Sequence, residues 1–273
     1  MFETRVNRSK FASALAILEL IYHSAVHSIR ITHRHAIWSI FINMLQAIIF
    51  VLSFYAMFEI LGMRRTAIRG DFLLYLMSGI FLFMTHVKTV GAIAGAGTST
   101  SAMMKHAPMN TAVAIGAAAL STLYIQILSL FMILFIYHVA FTPITIEQPV
   151  YALGTLLLSW YTGIGVGLVL LSMRPWAPQF VSVFSQVYQR ANMIASGKMF
   201  AANSLPGYMI AMFDWNPLFH AIDQCRGFVF LNYTPHNSSL AYPIWVGTAL
   251  CMIGLMGEFY TRKHVSLSWD AKR

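Results

Sequence analysis

Five stretches of this 273-residue chain run for about the length of a bilayer with almost no charge. They are Trp38–Leu61, Phe72–Ala94, Thr111–Phe141, Val150–Ser172 and Leu240–Tyr260. A helix needs about 20 mostly apolar residues to cross about 30 Å of hydrocarbon. A sixth stretch, Gln179–Phe200, is long enough but polar, holding Gln186, Gln189, Arg190, Asn192 and Lys198. Composition closes off the soluble alternative. Apolar residues make up 58% and charged residues 10%, against about 25% charged in soluble domains. The expected fold class is all-α: a polytopic membrane protein with six spans at about 38–61, 72–94, 111–141, 150–172, 179–200 and 240–260.

The net charge of +9 forms no basic stripe or arm for nucleic acid. The basic residues lie mostly in the connections. With the N-terminus inside, the inner segments hold Arg5, Arg8, Lys10, Arg30, Arg34, Lys105, Arg174, Arg262, Lys263, Lys272 and Arg273. The outer ones hold only Arg64, Arg65, Arg69 and Arg226. Positive charge favours the cytoplasmic side, so both termini are expected in the cytoplasm.

Two segments break the simple serpentine. In Phe11–His35, the residues Phe11, Leu15, Leu18, Tyr22, Ala25 and Ile29 recur at helical steps, and His23, His27, Arg30 and Arg34 make another face. A helix of that kind lies in the membrane interface; an ordinary soluble helix packed on a partner is the alternative. Residues 1–36 therefore read as a cytoplasmic N-terminus with an interfacial helix, and 261–273 as a cytoplasmic tail. The stretch has no small-residue cleavage site, so it is not expected to be a signal peptide. Residues 201–239 contain Pro206-Gly207, Asn216-Pro217 and Pro235, which no continuous spanning helix accommodates. Their short apolar pieces read as re-entrant or interfacial helices on the outer side.

Several chemistries have no signature. There is no phosphate loop, H-E-x-x-H or EF-hand spacing, and no G-x-S-x-G elbow. Cys225 and Cys251 are too few for a disulfide framework. His86 and His138, in different spans, are the one pair that a haem-bound alternative would use. Gly163, Gly165 and Gly167 lie inside an apolar span and point to close helix packing. Within the spans the costly residues are Lys88, Arg190 and Lys198, all basic. No carboxylate sits in mid-span, which favours a path for something anionic or hydroxylated over a proton relay. On a helical wheel Ser182, Gln186, Gln189, Asn192 and Ser196 share one side of the fifth span. With Lys88, Arg190 and Lys198 they are the candidate translocation path, and polar packing between helices is the alternative.

The run Asp214-Trp215-Asn216-Pro217-Leu218-Phe219-His220, followed by Asp223, Arg226 and Gly227, resembles the W-N-P-L…H…R motif of type-2 ABC exporter permeases. The likeness is to the capsular-polysaccharide and O-antigen export branch. Lys88–Ile93 resembles that family's second-helix ending, Lys105–Asn110 its K-P-I-D turn, and Gly163–Gly167 its glycine-rich fourth helix. Asn110 stands where the family's turn has an acidic residue. The likeness spans roughly residues 20–262.

The resemblance implies a homodimeric permease without ATPase activity of its own, paired with two copies of a separate ABC ATPase that binds ATP and Mg. It implies no cofactor in this chain. The cargo would be a lipid-linked capsular polysaccharide; alternatives are an O-antigen, another polymer, a lipid or a drug. A periplasmic or outer-membrane export partner would complete the route. Residues 96–110 would couple to the ATPase through Met103, Met104, Lys105, His106, Pro108 and Asn110, with the methionines as adaptable apolar contacts. Trp215, Asn216, Pro217, His220, Asp223 and Arg226 would form an outer gate. Asp223, Asp214, an anionic polymer group and the headgroup region all remain counterparts for Arg226.

Overall fold

The computed structural model describes the backbone of residues 10–32, 36–62, 70–104 and 111–264, and their side chains except at 10–15, 28–32, 36, 37, 39 and 97–104. Every regular element among the described residues is helical. In order they are α1 (Lys10–Thr32), α2 (Ala36–Ile60), α3 (Phe72–Met104), α4 (Thr111–Ala140), α5 (Pro149–Met173) and α6 (Pro178–Ala195). A single 3₁₀ turn (Ala202–Ser204) leads to α7 (Gly207–Phe213), α8 (Pro217–Val229) and α9 (Ala241–His264). Five of these, α2, α3, α4, α5 and α9, contain stretches long and apolar enough to cross a membrane. The protein is therefore a multi-pass helical membrane protein.

Helix starts follow local chemistry. Pro149, Pro178 and Pro217 open α5, α6 and α8, where a missing N–H costs nothing and φ is already helical. Asp71 accepts from Leu73 N–H at 2.9 Å at the start of α3. Its other carboxylate oxygen takes the Tyr137 and Thr142 hydroxyls at 2.5 and 3.1 Å. The hydroxyls inside the spans return to their own helix: Thr85 to Phe81 O at 2.8 Å, Thr89 to Thr85 O at 2.6 Å, Ser159 to Thr155 O at 3.1 Å. Lipid offers no partner for such groups, so the backbone one turn earlier supplies it.

Helix α3 is the central post, in contact with α2, α4, α5, α6 and α8. The packing expected from the α5 glycines is present on two sides. A Cβ at Gly163 would stand 2.9 Å from His86 O, and one at Gly167 2.8 Å from Ile93 Cβ. Across the helix, a Cβ at Gly165 would stand 2.9 Å from Leu250 Cβ on α9. Small residues thus let α5 lie almost backbone to backbone between α3 and α9, the close approach that drives helix association without a hydrophobic gradient.

Three boundaries differ from the sequence reading. Helix α3 continues to Met104, so the first part of the expected 96–110 loop is helical. The expected span 179–200 stops at Ala195, because Gly197 turns the chain with φ +73°. In α1, Ala25 is buried, but Leu18 and Tyr22 of the expected apolar face are exposed. Ile21 faces α4 instead, and a Cβ at Gly116 would stand 3.2 Å from it. The exposed Ile17, Leu18, Leu20 and Tyr22 leave α1 with an apolar surface beside its packed one.

Candidate functional site

The W-N-P-L element sits where α6 ends and α8 begins, and Asn216 joins the two. Its Oδ1 accepts from Leu218 N–H at 3.0 Å, the N-cap bond that satisfies an orphan donor of α8. Its amide donates to Asn192 Oδ1 at 2.9 Å and to Ala195 O at 3.0 Å. Ala195 ends α6, so one side chain closes the first turn of one helix and the last turn of another. Trp215 is exposed, with its indole N–H on Met212 O at 2.7 Å.

Arg226 completes the junction from α8. It is 1% exposed, and it donates to three carbonyls: Gly197 O at 2.9 Å, Lys198 O at 2.7 Å and Phe200 O at 2.5 Å. Its guanidinium carbon lies 4.2 Å from the Tyr75 ring centroid on α3. Neither Asp214 nor Asp223 is among its hydrogen-bond partners. The turn after α6 leaves carbonyls without helical partners, and the planar fork of a guanidinium matches several of them at once. Asp223 instead accepts the Tyr233 hydroxyl, and the Ser238 hydroxyl at 2.7 Å. Burial, and then the Asp223 carboxylate, hold the Tyr233 phenol above its ordinary pKa, which keeps it a donor.

His220 is fixed as one neutral tautomer by its partners. Its Nδ1 accepts from Ser239 N–H at 3.1 Å, and its Nε2–H donates to Asp214 O at 2.6 Å. The Tyr242 ring lies 4.7 Å away, and Tyr242 donates to Trp215 O at 2.8 Å. The expected outer-gate residues Trp215, Asn216, Pro217, His220, Asp223 and Arg226 are thus brought together in one junction. The chemistry there is hydrogen bonding that positions backbone.

The candidate path residues divide. Ser182, Gln186 and Arg190 are exposed on α6, and Gln189 is half-buried with its amide 3.3 Å from Ser185 Oγ. Asn192 and Ser196 turn inward, and both are buried. The apolar Phe184, Val187 and Ile194 are exposed, while Val181 packs with Val90 and Leu170. Lys198 lies inside the bundle rather than along an open groove. Its Nζ sits 3.6 Å from the Phe83 ring centroid, 4.4 Å from Phe50 and 4.9 Å from Phe54. Among the described residues it has no hydrogen-bond partner, and neither does Ser196 Oγ. Three ring faces take the place of water around the ammonium. A Cβ at Gly79 would stand 2.9 Å from Lys198 Cα. Tyr75, Gly79 and Phe83, one turn apart on α3, therefore seat Arg226 and Lys198 together.

Lys88 also binds inward. It donates to Asn43 Oδ1 and, at 2.8 Å, to Gln46 Oε1 on α2. Asn43 in turn donates to Ser129 Oγ at 2.8 Å and accepts from Gln126 at 3.0 Å. Two neutral amides of α2 thus hold the cation, and Gln126 of α4 backs one of them; no carboxylate pairs with Lys88 among the described residues. The coupling residues Lys105, His106, Pro108 and Asn110, and the side chains of Met103 and Met104, lie outside the described residues.

The sequence reading missed what holds α6 to the bundle. His86 Nδ1 faces Ser159 O and Thr162 Oγ1, both at 3.1 Å, and its Nε2 lies 2.8 Å from Tyr188 Oη. A carbonyl only accepts, so Nδ1 carries the proton and Tyr188 donates to Nε2. A histidine in mid-span was a signal that some partner exists; nothing local named Tyr188. His138, at the exposed end of α4, accepts from Ile144 N–H at 2.9 Å, so the two histidines do not face one another. Among the described residues no three His, Cys, Asp or Glu side chains form a metal-holding group. No family model matches this chain, and no characterised protein matches it in sequence. The likeness to type-2 ABC permeases therefore rests on the W-N-P-L element and its companion motifs.

Proposed function

We propose that this chain is the membrane subunit of an ATP-driven exporter of a long glycan, a lipid-linked capsular polysaccharide, acting as a homodimer with two copies of a separate ATPase. The observation that carries the reading is the α6–α8 junction. Asn216, His220, Asp223 and Arg226 are buried and bonded into the two short helices that precede the last long one. The motif behind the resemblance thereby gains a physical role, since it fixes a bent, non-spanning segment beside α3.

Three further features support it. Helix α3 has 33 residues, about 50 Å at 1.5 Å per residue. Its far end therefore projects beyond a hydrocarbon core of about 30 Å, where Met103 and Met104 would meet the ATPase. Helix α6 has 18 residues, about 27 Å long, and we take it as the fifth of six spans. Its exposed Ser182, Gln186 and Arg190, with Gln189, would form the wetted wall, since such groups are costly against lipid and suit sugar hydroxyls. Helices α7 and α8 would then be the outer re-entrant pair, with both termini on the cytoplasmic side of a bacterial inner membrane.

The test is co-expression with a Walker-type ATPase encoded beside it, followed by purification and ATP hydrolysis. The chain alone should hydrolyse nothing, and the pair should turn over. Replacing Met103 and Met104 together by Asp should release the ATPase, because two buried carboxylates cost several kcal/mol. ATP hydrolysis by this chain alone, or normal surface polymer in its absence, would overturn the proposal.

A further inference from the structure

Between α3, α4, α5 and α8 the structure holds a cavity of about 260 Å³ whose walls are almost entirely carbon. Phe81, Leu134, Leu153 and Cys225 represent the four walls. The one hydroxyl on the lining, Ser78 Oγ, is already bonded to Tyr75 O at 2.8 Å. No polar group there asks for water, and an apolar cavity of even about 150 Å³ stays dry and takes apolar ligands. The occupant must therefore be apolar, and its source is set by the cavity's place. Two of its lining residues, Phe131 on α4 and Val150 on α5, are 55% and 78% exposed. They belong to the outer surfaces of helices that cross the membrane, so the cavity is continuous with the lipid-facing surface. At one end the chain from α4 to α5 crosses the C-terminus of α8. There Gln148 N–H donates to Phe228 O at 2.9 Å and Glu147 N–H to Val229 O at 3.4 Å. Glu147 and Gln148 are themselves exposed, which sets a polar level at that end, like that of headgroups.

We infer that this cavity is a lipid site, which takes one acyl chain of a bilayer phospholipid with its headgroup at the level of Glu147 and Gln148. The chain enters past Phe131 and Val150 and lies behind α8, against Cys225 and Val229. Those two side chains are buried, whereas the Arg226 guanidinium of the same helix lies on the Tyr75 ring of α3. A bound chain would thus back the helix that carries the junction motif, filling a gap that protein atoms leave open. The inference does not depend on what the protein exports.

The full chain in nanodiscs of phosphatidylcholine, with a photoactivatable diazirine midway along one acyl chain, provides the test. After illumination, peptide mapping by mass spectrometry should place adducts on Cys225 or Val229 as well as on the exposed α9 residues Met252 and Phe259. Ala152→Phe and Leu134→Trp fill the cavity from opposite walls, and each should lower the α8 adducts several-fold while leaving those on α9 unchanged. Either variant counts only if it elutes as a single species. The unsubstituted chain decides alone if neither does: no adduct on α8, despite heavy labelling of α9, overturns the site. So does α8 labelling that both cavity-filling variants leave intact.

Discussion

Helices α6 and α8 invite direct comparison. Each opens with proline and each mixes apolar residues with at least one amide and an arginine, yet they dispose of their polar groups in opposite ways. In α8, His220, Asp223 and Arg226 are buried and bonded. In α6, Ser182, Gln186 and Arg190 are exposed, and only the end at Asn192 is drawn in. The difference lies in the neighbours. Irregular backbone runs along both flanks of α8, at 196–200 and 230–240, and supplies free carbonyls, Tyr233 and Ser238. Along its length α6 packs on the regular helices α3 and α5, whose backbone bonds are already used. Buried polarity is stable where a turn leaves partners unspent; elsewhere it must face water or another molecule.

The strongest way to break the contrast is at Arg226. Arg226→Leu removes the donors to three carbonyls and leaves those of Lys198 and Phe200 without a partner, at about 1–3 kcal/mol for each buried one, so a large drop in unfolding temperature is expected. Arg226→Lys should rescue little, because a point charge cannot span the three acceptors. Wild-type stability in either variant would show that the junction does not depend on the fork. Next comes Asn216→Ala, which removes an N-cap and should cost about 0.5–2 kcal/mol, more because Asn192 Oδ1 loses its donor. A double-mutant cycle with Asn192→Ala sharpens it: the two losses should fall short of additive, as for any contacting pair. Full additivity would mean that the α6–α8 bond contributes nothing.

The long apolar helices α2, α3, α4, α5 and α9 were legible as runs of bilayer length with few charges, since hydrocarbon admits little else. The glycine packing of α5 was legible too, because small residues in a span have few other uses. What escaped depended on contacts far apart in sequence. Residues 96–102 mix Ala with the weak helix formers Gly, Ser and Thr and were expected in a loop, yet the backbone stays helical. Helix α6 ends at Ala195 because Gly197 turns and Arg226, 29 residues later, holds that turn. The basic count flagged Lys198 as costly, but not the ring cage from α2 and α3 that accepts it. Candidate path residues were readable as polar; that Asn192 turns inward depends on Asn216, 24 residues later.

The smallest effect on folding, and the most direct test of the proposed path, is on the outward side of α6. Single cysteines at 182, 186, 192 and 196, in a chain with Cys225 and Cys251 replaced, should each be probed with a small water-soluble thiol reagent. Substitution of Ser182 or Gln186 should change stability by less than about 0.5 kcal/mol. The account predicts that 182 and 186 react, that 192 and 196 do not at rest, and that ATP turnover by the partner ATPase alters the reactive pair. If 182 and 186 stay unreactive in every nucleotide state while export continues, the outward side of α6 is packing and the path lies elsewhere.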